Sequence, residues 1–323
     1  KHLLKKINTG VNTKINMMKV VVSAVSFSKN TELVSSLLNH FPDAVINYEG
    51  KRYLNDDLVT YYKNANAIIT GLEKIDDELL SKLPSLKLIV KYGVGLDNID
   101  LLACEKRGVK IGWTGGVNKN SVAEMALGFM LMLSRNLFTT ANQLKSGTWN
   151  KSGGFSLSSR TVGIIGIGHI GKELVQMLKP FNCRILINDI IDLSGYSNSN
   201  KVESVTKEYL FQNADLISIH TPLNSSTKDM INKEIILQMK KSVFLINTAR
   251  GGIINEDDLK WALENNEIAG AGLDVFNVEP PGDSELMKFP NLIATPHTAG
   301  NSYEAVIAMG MAAINHLVSY KND

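Results

Sequence analysis

Thr161-Val162-Gly163-Ile164-Ile165-Gly166-Ile167-Gly168-His169-Ile170-Gly171 runs from an apolar, β-branched strand into a glycine-spaced turn, and Lys172-Glu173-Leu174-Val175 continues it as a helix. In that setting the Gly166-x-Gly168-x-x-Gly171 spacing has a mechanical reading. The first glycine permits a tight turn, the second lets a pyrophosphate approach the backbone, and the third lets helix and strand pack closely. The helix N-terminus then offers unpaired amides and a partial positive charge to phosphate. Alone the spacing is a weak signal, since a tight turn in an unrelated sheet would also show it; its place between strand and helix gives it weight.

A second apolar run, Arg184-Ile185-Leu186-Ile187-Asn188, ends at Asp189, 18 residues beyond Gly171. A carboxylate there can accept both hydroxyls of a ribose, and it would repel a 2′-phosphate that has no arginine close by in sequence, so the expected cofactor is NAD and not NADP.

Outward from this motif, short β-prone runs recur at Lys19–Val25, Ala67–Thr70, Leu86–Val90, Lys110–Trp113, Leu216–His220, Val243–Ala249, Gly270–Phe276 and Leu292–Pro296. Segments of helical period lie between them: Thr31–His40, Asp76–Leu83, Lys172–Lys179, Lys233–Met239 and Asp257–Asn266. Such alternation predicts an α/β fold of doubly wound parallel sheets. Asn255 ahead of Glu256-Asp257-Asp258 reads as an N-cap. Ser121–Arg135 is apolar on nearly every face and is expected to be buried between layers or domains. Ser194–Asn200, rich in Ser and Asn, reads as an exposed loop.

The chain has 323 residues, 44% of them hydrophobic, enough for about two cored domains. Its 34 basic and 32 acidic side chains leave a net charge of +2, too weak a field for a nucleic-acid or membrane-surface partner to be expected. Two cysteines, Cys104 and Cys183, without CxxC spacing, argue against a disulfide framework and a metal site, and for reduced thiols in the cytoplasm. The longest apolar stretch, Met125 to Leu133, is far shorter than the roughly 20 residues of a membrane span. Residues 1–31 hold six lysines, no acid and no arginine, and residues 1–17 read as an added extension or remnant in preference to a targeting segment.

Three later strand ends each deliver a chemically capable side chain. Val243–Ala249 leads to Arg250-Gly251-Gly252, Gly272–Phe276 to Glu279-Pro280, and Leu292–Pro296 to His297. Singly, Arg250 could be a surface ion-pair member, Glu279 a solvated acid and His297 a core histidine. Together, after a dinucleotide signature, they are a cation for a carboxylate, a base for a hydroxyl proton and an acid to orient that base.

Taken together, these blocks resemble the D-isomer-specific 2-hydroxyacid dehydrogenase family, from about residue 18 to the C-terminus. The resemblance is carried by Lys91-Tyr92-Gly93-Val94-Gly95-Leu96-Asp97-Asn98-Ile99-Asp100, Asn118 through Ser121-Val122-Ala123-Glu124, Gly166 to Gly171, His220-Thr221-Pro222-Leu223 with Thr227, Asn247 to Gly252, Asp274-Val275-Phe276 with Glu279-Pro280, and Thr295-Pro296-His297. It implies a hydride transfer between a D-2-hydroxy acid and NAD. His297 would move the hydroxyl proton and Glu279 would hold the imidazole in one tautomer and stabilise its charged form. Arg250 would grip the substrate carboxylate, with the backbone amides of Val94 and Gly95 as further donors.

The same resemblance implies cofactor contacts by Gly166, Gly168, His169, Ile170 and Gly171 at the pyrophosphate. Thr221 and Pro222 would lie beside the adenosine, Asp274 and Gly300 toward the nicotinamide, and His220, Thr227, Thr248 and Ala249 would be further cofactor contacts. It also implies two Rossmann-like domains, a substrate domain of 18–112 with 297–323 and an inserted NAD domain of 113–296, closing over the active site. A homodimer is expected, together with a chain that stops short of a C-terminal regulatory domain.

Within the family the pattern is nearest to short 3-phosphoglycerate dehydrogenase-like members. The departure is at Thr70-Gly71-Leu72-Glu73, where phosphoglycerate enzymes carry an arginine for the substrate phosphate, so glyoxylate/hydroxypyruvate or branched 2-ketoacid reduction is the alternative. An NAD-sensing corepressor, a binding protein on the same fold, is the reading from another class.

Overall fold

The computed structural model describes residues 18–322, so the lysine-rich 1–17 lies outside the described residues. The chain divides into two compact units, one through Thr114 and again from Met309, the other Gly115–Ala308.

The first unit is a five-stranded sheet of β1 (Val20–Val22), β2 (Val45–Ile46), β3 (Ala67–Thr70), β4 (Leu88–Lys91) and β5 (Lys110–Gly112), all parallel in the order β2-β1-β3-β4-β5. β1, β3 and β4 are buried at every residue, as continuous Val/Ile/Leu runs should be when helices cover both faces. The strand order reverses between β1 and β3, which puts the crevice expected to bind ligands at the carboxyl ends of those strands.

The second unit is a seven-stranded parallel sheet of β6 (Thr161–Ile165), β7 (Arg184–Asn188), β8 (Glu203–Ser204), β9 (Leu216–Ile219), β10 (Phe244–Asn247), β11 (Gly270–Leu273) and β12 (Leu292–Ala294), ordered β12-β11-β10-β9-β6-β7-β8. Its reversal point lies between β6 and β9, directly above the glycine turn. Helix Lys119–Ser134 packs on this sheet, with fully buried Phe129 lying over Gly272, where any Cβ would collide with the ring. Burial of one such phenyl group contributes about 2 kcal/mol.

Among the described residues, side-chain caps start six α-helices: Asn30, Asp76, Asp100, Thr206, Asn232 and Asn255 each accept a backbone N–H three residues on. Each is worth about 1 kcal/mol. The Asn255 cap is the one expected from sequence.

Three differences from the sequence reading have physical causes. Ser194–Asn200 is a helix, because Asp192 accepts both the N–H and the hydroxyl of Ser194, while Ser197, Ser199 and Asn200 donate back to carbonyls three or four residues earlier. The two-residue strands β2 and β8 are too short to show a period. The chain leaves the second unit at Ala308, not at 296, because Ala299 and Ser302 are hydrogen-bonded to Ser121. No helix among the described residues is long and apolar enough to cross a membrane.

Candidate active site

The carboxyl edge of the second sheet collects the dinucleotide turn and the three chemical side chains. Gly166 adopts φ +93°, and a Cβ on Gly171 would strike the Gly166 carbonyl, so the turn closes only with glycine at both positions. Gly168 caps the helix His169–Leu178 and faces open space, the cradle a phosphate needs beside unpaired amides. The Asp189 carboxylate braces the turn by accepting the Ile167 N–H at 2.6 Å and its neighbour Ile190 N–H at 2.7 Å. The His169 ring lies against Gly116, and Ile170 packs on the core below.

Four buried polar atoms along this edge have no protein partner: Asn118 Oδ1, His220 Nδ1, Thr221 Oγ1 and Thr248 Oγ1. Buried groups of this kind are normally hydrogen-bonded. With the Gly168 cradle they fit a dinucleotide, which carries hydroxyls, phosphates and a carboxamide along its length. His220 donates or accepts through Nε2 with Ser218 Oγ at 2.9 Å, and desolvation pushes its pKa down to about 4, so the ring is neutral.

Glu279 and His297 meet directly, with Nδ1 and Oε2 2.7 Å apart. The second oxygen of Glu279 accepts the Phe276 N–H at 3.1 Å. Arg250 is brought to the same edge by close backbone contact: a Cβ on Gly251 would overlap the Phe276 carbonyl. Asn247 pins that turn, its amide donating to the Arg250 carbonyl and its oxygen accepting from Ala249 N–H. Arg250 Nη1 donates to the Ala249 carbonyl at 2.7 Å.

His297 is held at φ +55°, a left-handed conformation uncommon outside glycine. The fully buried Asp274 stabilises it. One carboxylate oxygen accepts the Thr295 hydroxyl and the Thr298 N–H, and the other accepts the Ala299 N–H. Asp274 thus lies beneath the histidine loop, with its carboxylate engaged within the protein. Thr227 is similarly committed, donating to the Pro222 carbonyl at 2.6 Å and accepting the Asn224 N–H.

Sequence reasoning passed over Asn118 and Asn247 as functional positions. Asn118 heads helix Lys119–Ser134 without making a cap bond, and its amide lies against Gly300. A cap-type residue at a helix start whose side chain makes no cap bond shows only in three dimensions.

In the first unit, Val94 and Gly95 follow β4 and are partly exposed. The Val94 carbonyl accepts the indole N–H of Trp113 at 2.8 Å.

A parallel sheet with a glycine turn at its reversal point, and a His–Glu pair and an arginine following other strands of the same carboxyl edge, defines the class of dinucleotide-dependent oxidoreductases. The sequence profile "D-isomer specific 2-hydroxyacid dehydrogenase, NAD binding domain" matches residues 127–299, and the chain belongs to that family, with NAD as the cofactor of this domain. It is 40% identical over 240 residues to D-3-phosphoglycerate dehydrogenase of Bacillus subtilis, covering 74% of this chain but 46% of that protein, so it spans less than half of that relative. With hydroxypyruvate reductase of Thermotoga maritima it is 36% identical over 255 residues, covering 77% of this chain and 82% of the other. The structure of a glyoxylate reductase from Paecilomyes thermophila superposes with a TM-score of 0.82 at 25% identity, over 94% of this chain and 96% of that one.

Proposed function

We propose that the protein interconverts a short D-2-hydroxy acid and its 2-keto acid with NAD. The observation that carries this is the His297–Glu279 pair on the edge that also holds Arg250 and the dinucleotide turn. Because Nδ1 faces the carboxylate, Nε2 is the atom that handles the substrate proton. The nicotinamide, when bound, takes up or supplies the hydride. His297 removes the hydroxyl proton in oxidation and returns it to the carbonyl oxygen in reduction, while Glu279 stabilises the imidazolium. Arg250 takes the substrate carboxylate through its planar fork and polarises the carbonyl oxygen. The amides of Val94 and Gly95 are the further carboxylate donors.

For the cofactor, we assign Gly166, Gly168, His169, Ile170 and Gly171 to the pyrophosphate and Asp189 to the adenosine ribose. Thr221 and Pro222 border the adenosine, Asp274 and Gly300 the nicotinamide half, and His220, Thr227, Thr248 and Ala249 are further cofactor contacts.

Two substrate readings follow from the sequence pattern: 3-phosphoglycerate, and glyoxylate/hydroxypyruvate or a branched 2-keto acid. The loop Thr70–Glu73 favours the second, since it presents no arginine to a substrate phosphate. A homodimer in a reducing cytoplasm fits the free thiols of Cys104 and Cys183 and the helix Leu137–Lys145, which has no buried residue and exposes Leu137, Phe138 and Leu144.

The test is NADH oxidation by the purified protein with hydroxypyruvate, glyoxylate and 3-phosphohydroxypyruvate, and the reverse reaction with D- and L-glycerate. Turnover of at least one keto acid, and of D- but not L-glycerate, is expected. NADH binding without turnover of any 2-keto or 2-hydroxy acid would favour the corepressor-like reading instead.

A further inference from the structure

We infer that Glu73 selects the substrate chain, admitting 2-keto and 2-hydroxy acids whose C3 carries a neutral group and rejecting those with an anionic one. The inference rests on the reading above, in which Val94 and Gly95 take the substrate carboxylate.

Burying a polar side chain is unfavourable unless its hydrogen bonds are made. Among the described residues of the first unit, the buried polar side chains are Ser23, Ser28, Asn47, Thr70 and Lys91. All but Ser28 stand where a strand ends: Ser23 after β1, Asn47 after β2, Thr70 closing β3 and Lys91 closing β4. The sheet therefore gathers its polar groups at the edge where a doubly wound fold binds ligands.

Around Gly71 these groups form a clasp. The Gly71 N–H donates to Glu73 Oε2 at 2.7 Å, and the Thr70 hydroxyl donates to the same oxygen at 2.9 Å. The Gly71 carbonyl accepts from the Lys91 ammonium, which also donates to Asn98 Oδ1 at 2.6 Å. The Asn98 amide in turn donates to the carbonyls of Glu73, at 2.5 Å, and Gly71, at 3.2 Å. The loop 71–73 is thereby fastened to both ends of the segment 91–98 that carries Val94 and Gly95.

Two consequences concern charge. The cation nearest in sequence to the carboxylate-binding loop, Lys91, is 7% exposed and is directed at the Gly71 carbonyl and the Asn98 amide oxygen. The partly exposed acid of the same clasp is Glu73, fixed in place by its bonds to Thr70 and Gly71. Both internal bonds fall on Oε2, so Oε1 can accept from a hydroxyl on C3. On this assignment a phosphate on C3 meets the like charge of Glu73, a disadvantage of at least about 10-fold in binding.

The experiment compares kcat/KM for hydroxypyruvate and 3-phosphohydroxypyruvate, with NADH, in wild type, Glu73→Gln and Glu73→Arg. A ratio measured on one preparation is insensitive to its folded fraction, so a partly misfolded variant still reports. Wild type should prefer hydroxypyruvate by at least about 10-fold. Glu73→Gln should narrow that preference by a similar factor, and Glu73→Arg should narrow it further or invert it. A wild-type preference for the phosphorylated acid, or a ratio unchanged in both variants, overturns the role of Glu73 while leaving the hydride transfer standing. Absence of turnover with every 2-keto acid overturns the reaction itself, and the selection with it.

Discussion

His297 Nδ1 lies 2.7 Å from Glu279 Oε2, and the other oxygen of that carboxylate is anchored on the Phe276 backbone. The acid is thus held by the end of β11 while the histidine follows β12, so the pair stays aligned without a substrate. Glu279→Gln retains an acceptor and the side-chain shape but removes the charge that stabilises an imidazolium. The expected result is a fall in kcat of about 10- to 100-fold with NADH affinity, read by fluorescence titration, changed less than about threefold. His297→Ala should reduce kcat at least as far. Wild-type turnover in either variant would remove the pair from the chemistry.

Asp274 has no exposed surface, and three donors from residues 295–299 converge on it. In Asp274→Asn one oxygen becomes an amide facing donors. The expected loss is about 2–4 kcal/mol in urea unfolding, accompanied by lower kcat because the left-handed His297 turn loses its support. A loss under about 0.5 kcal/mol would show that the loop is held by other contacts.

The residues legible in sequence are those whose chemistry and local pattern coincide. Gly166, Gly168 and Gly171 sit between an obvious strand and helix, and Arg250, Glu279 and His297 each follow a strand. What was not legible depends on pairings across long stretches of chain. Ser121 meets Ala299, Asn118 meets Gly300, and Lys91 reaches back to Gly71; none of these has a local period or spacing. Asp274 and Thr227 stand in recognisable motifs, and that their oxygens also tie down neighbouring loops is revealed only by the folded arrangement. The helix Ser194–Asn200 was obscured for another reason: its Ser and Asn side chains bond to their own backbone, so a composition typical of loops supports a helix.

Asp189 braces Ile167 and stands at the end of β7, where a ribose is expected. Asp189→Asn keeps an oxygen for the Ile167 amide while removing the negative charge. The NADH-over-NADPH ratio of kcat/KM should then fall at least about 10-fold, mainly through improved use of NADPH. An unchanged ratio would show that cofactor choice is set elsewhere.

His220 makes a prediction about acid stability whose sign follows from burial. Desolvation lowers its pKa from 6.5 to about 4 in the folded protein, so between those values the unfolded chain holds more protons than the native one. Its contribution is complete above pH 6.5 and is lost as the pH falls toward 4. Between pH 7 and pH 5 this amounts to at most about 2 kcal/mol. Carboxylates with lowered pKa values, such as the half-buried Asp76 and the exposed Glu203, also weaken the fold in acid, so the diagnostic quantity is a difference between variants. Urea unfolding at pH 7 and pH 5 should show a smaller loss in His220→Asn than in wild type, because asparagine stays neutral throughout. Equal losses in the two proteins would mean that the His220 ring is hydrated enough to take up its proton in the native state.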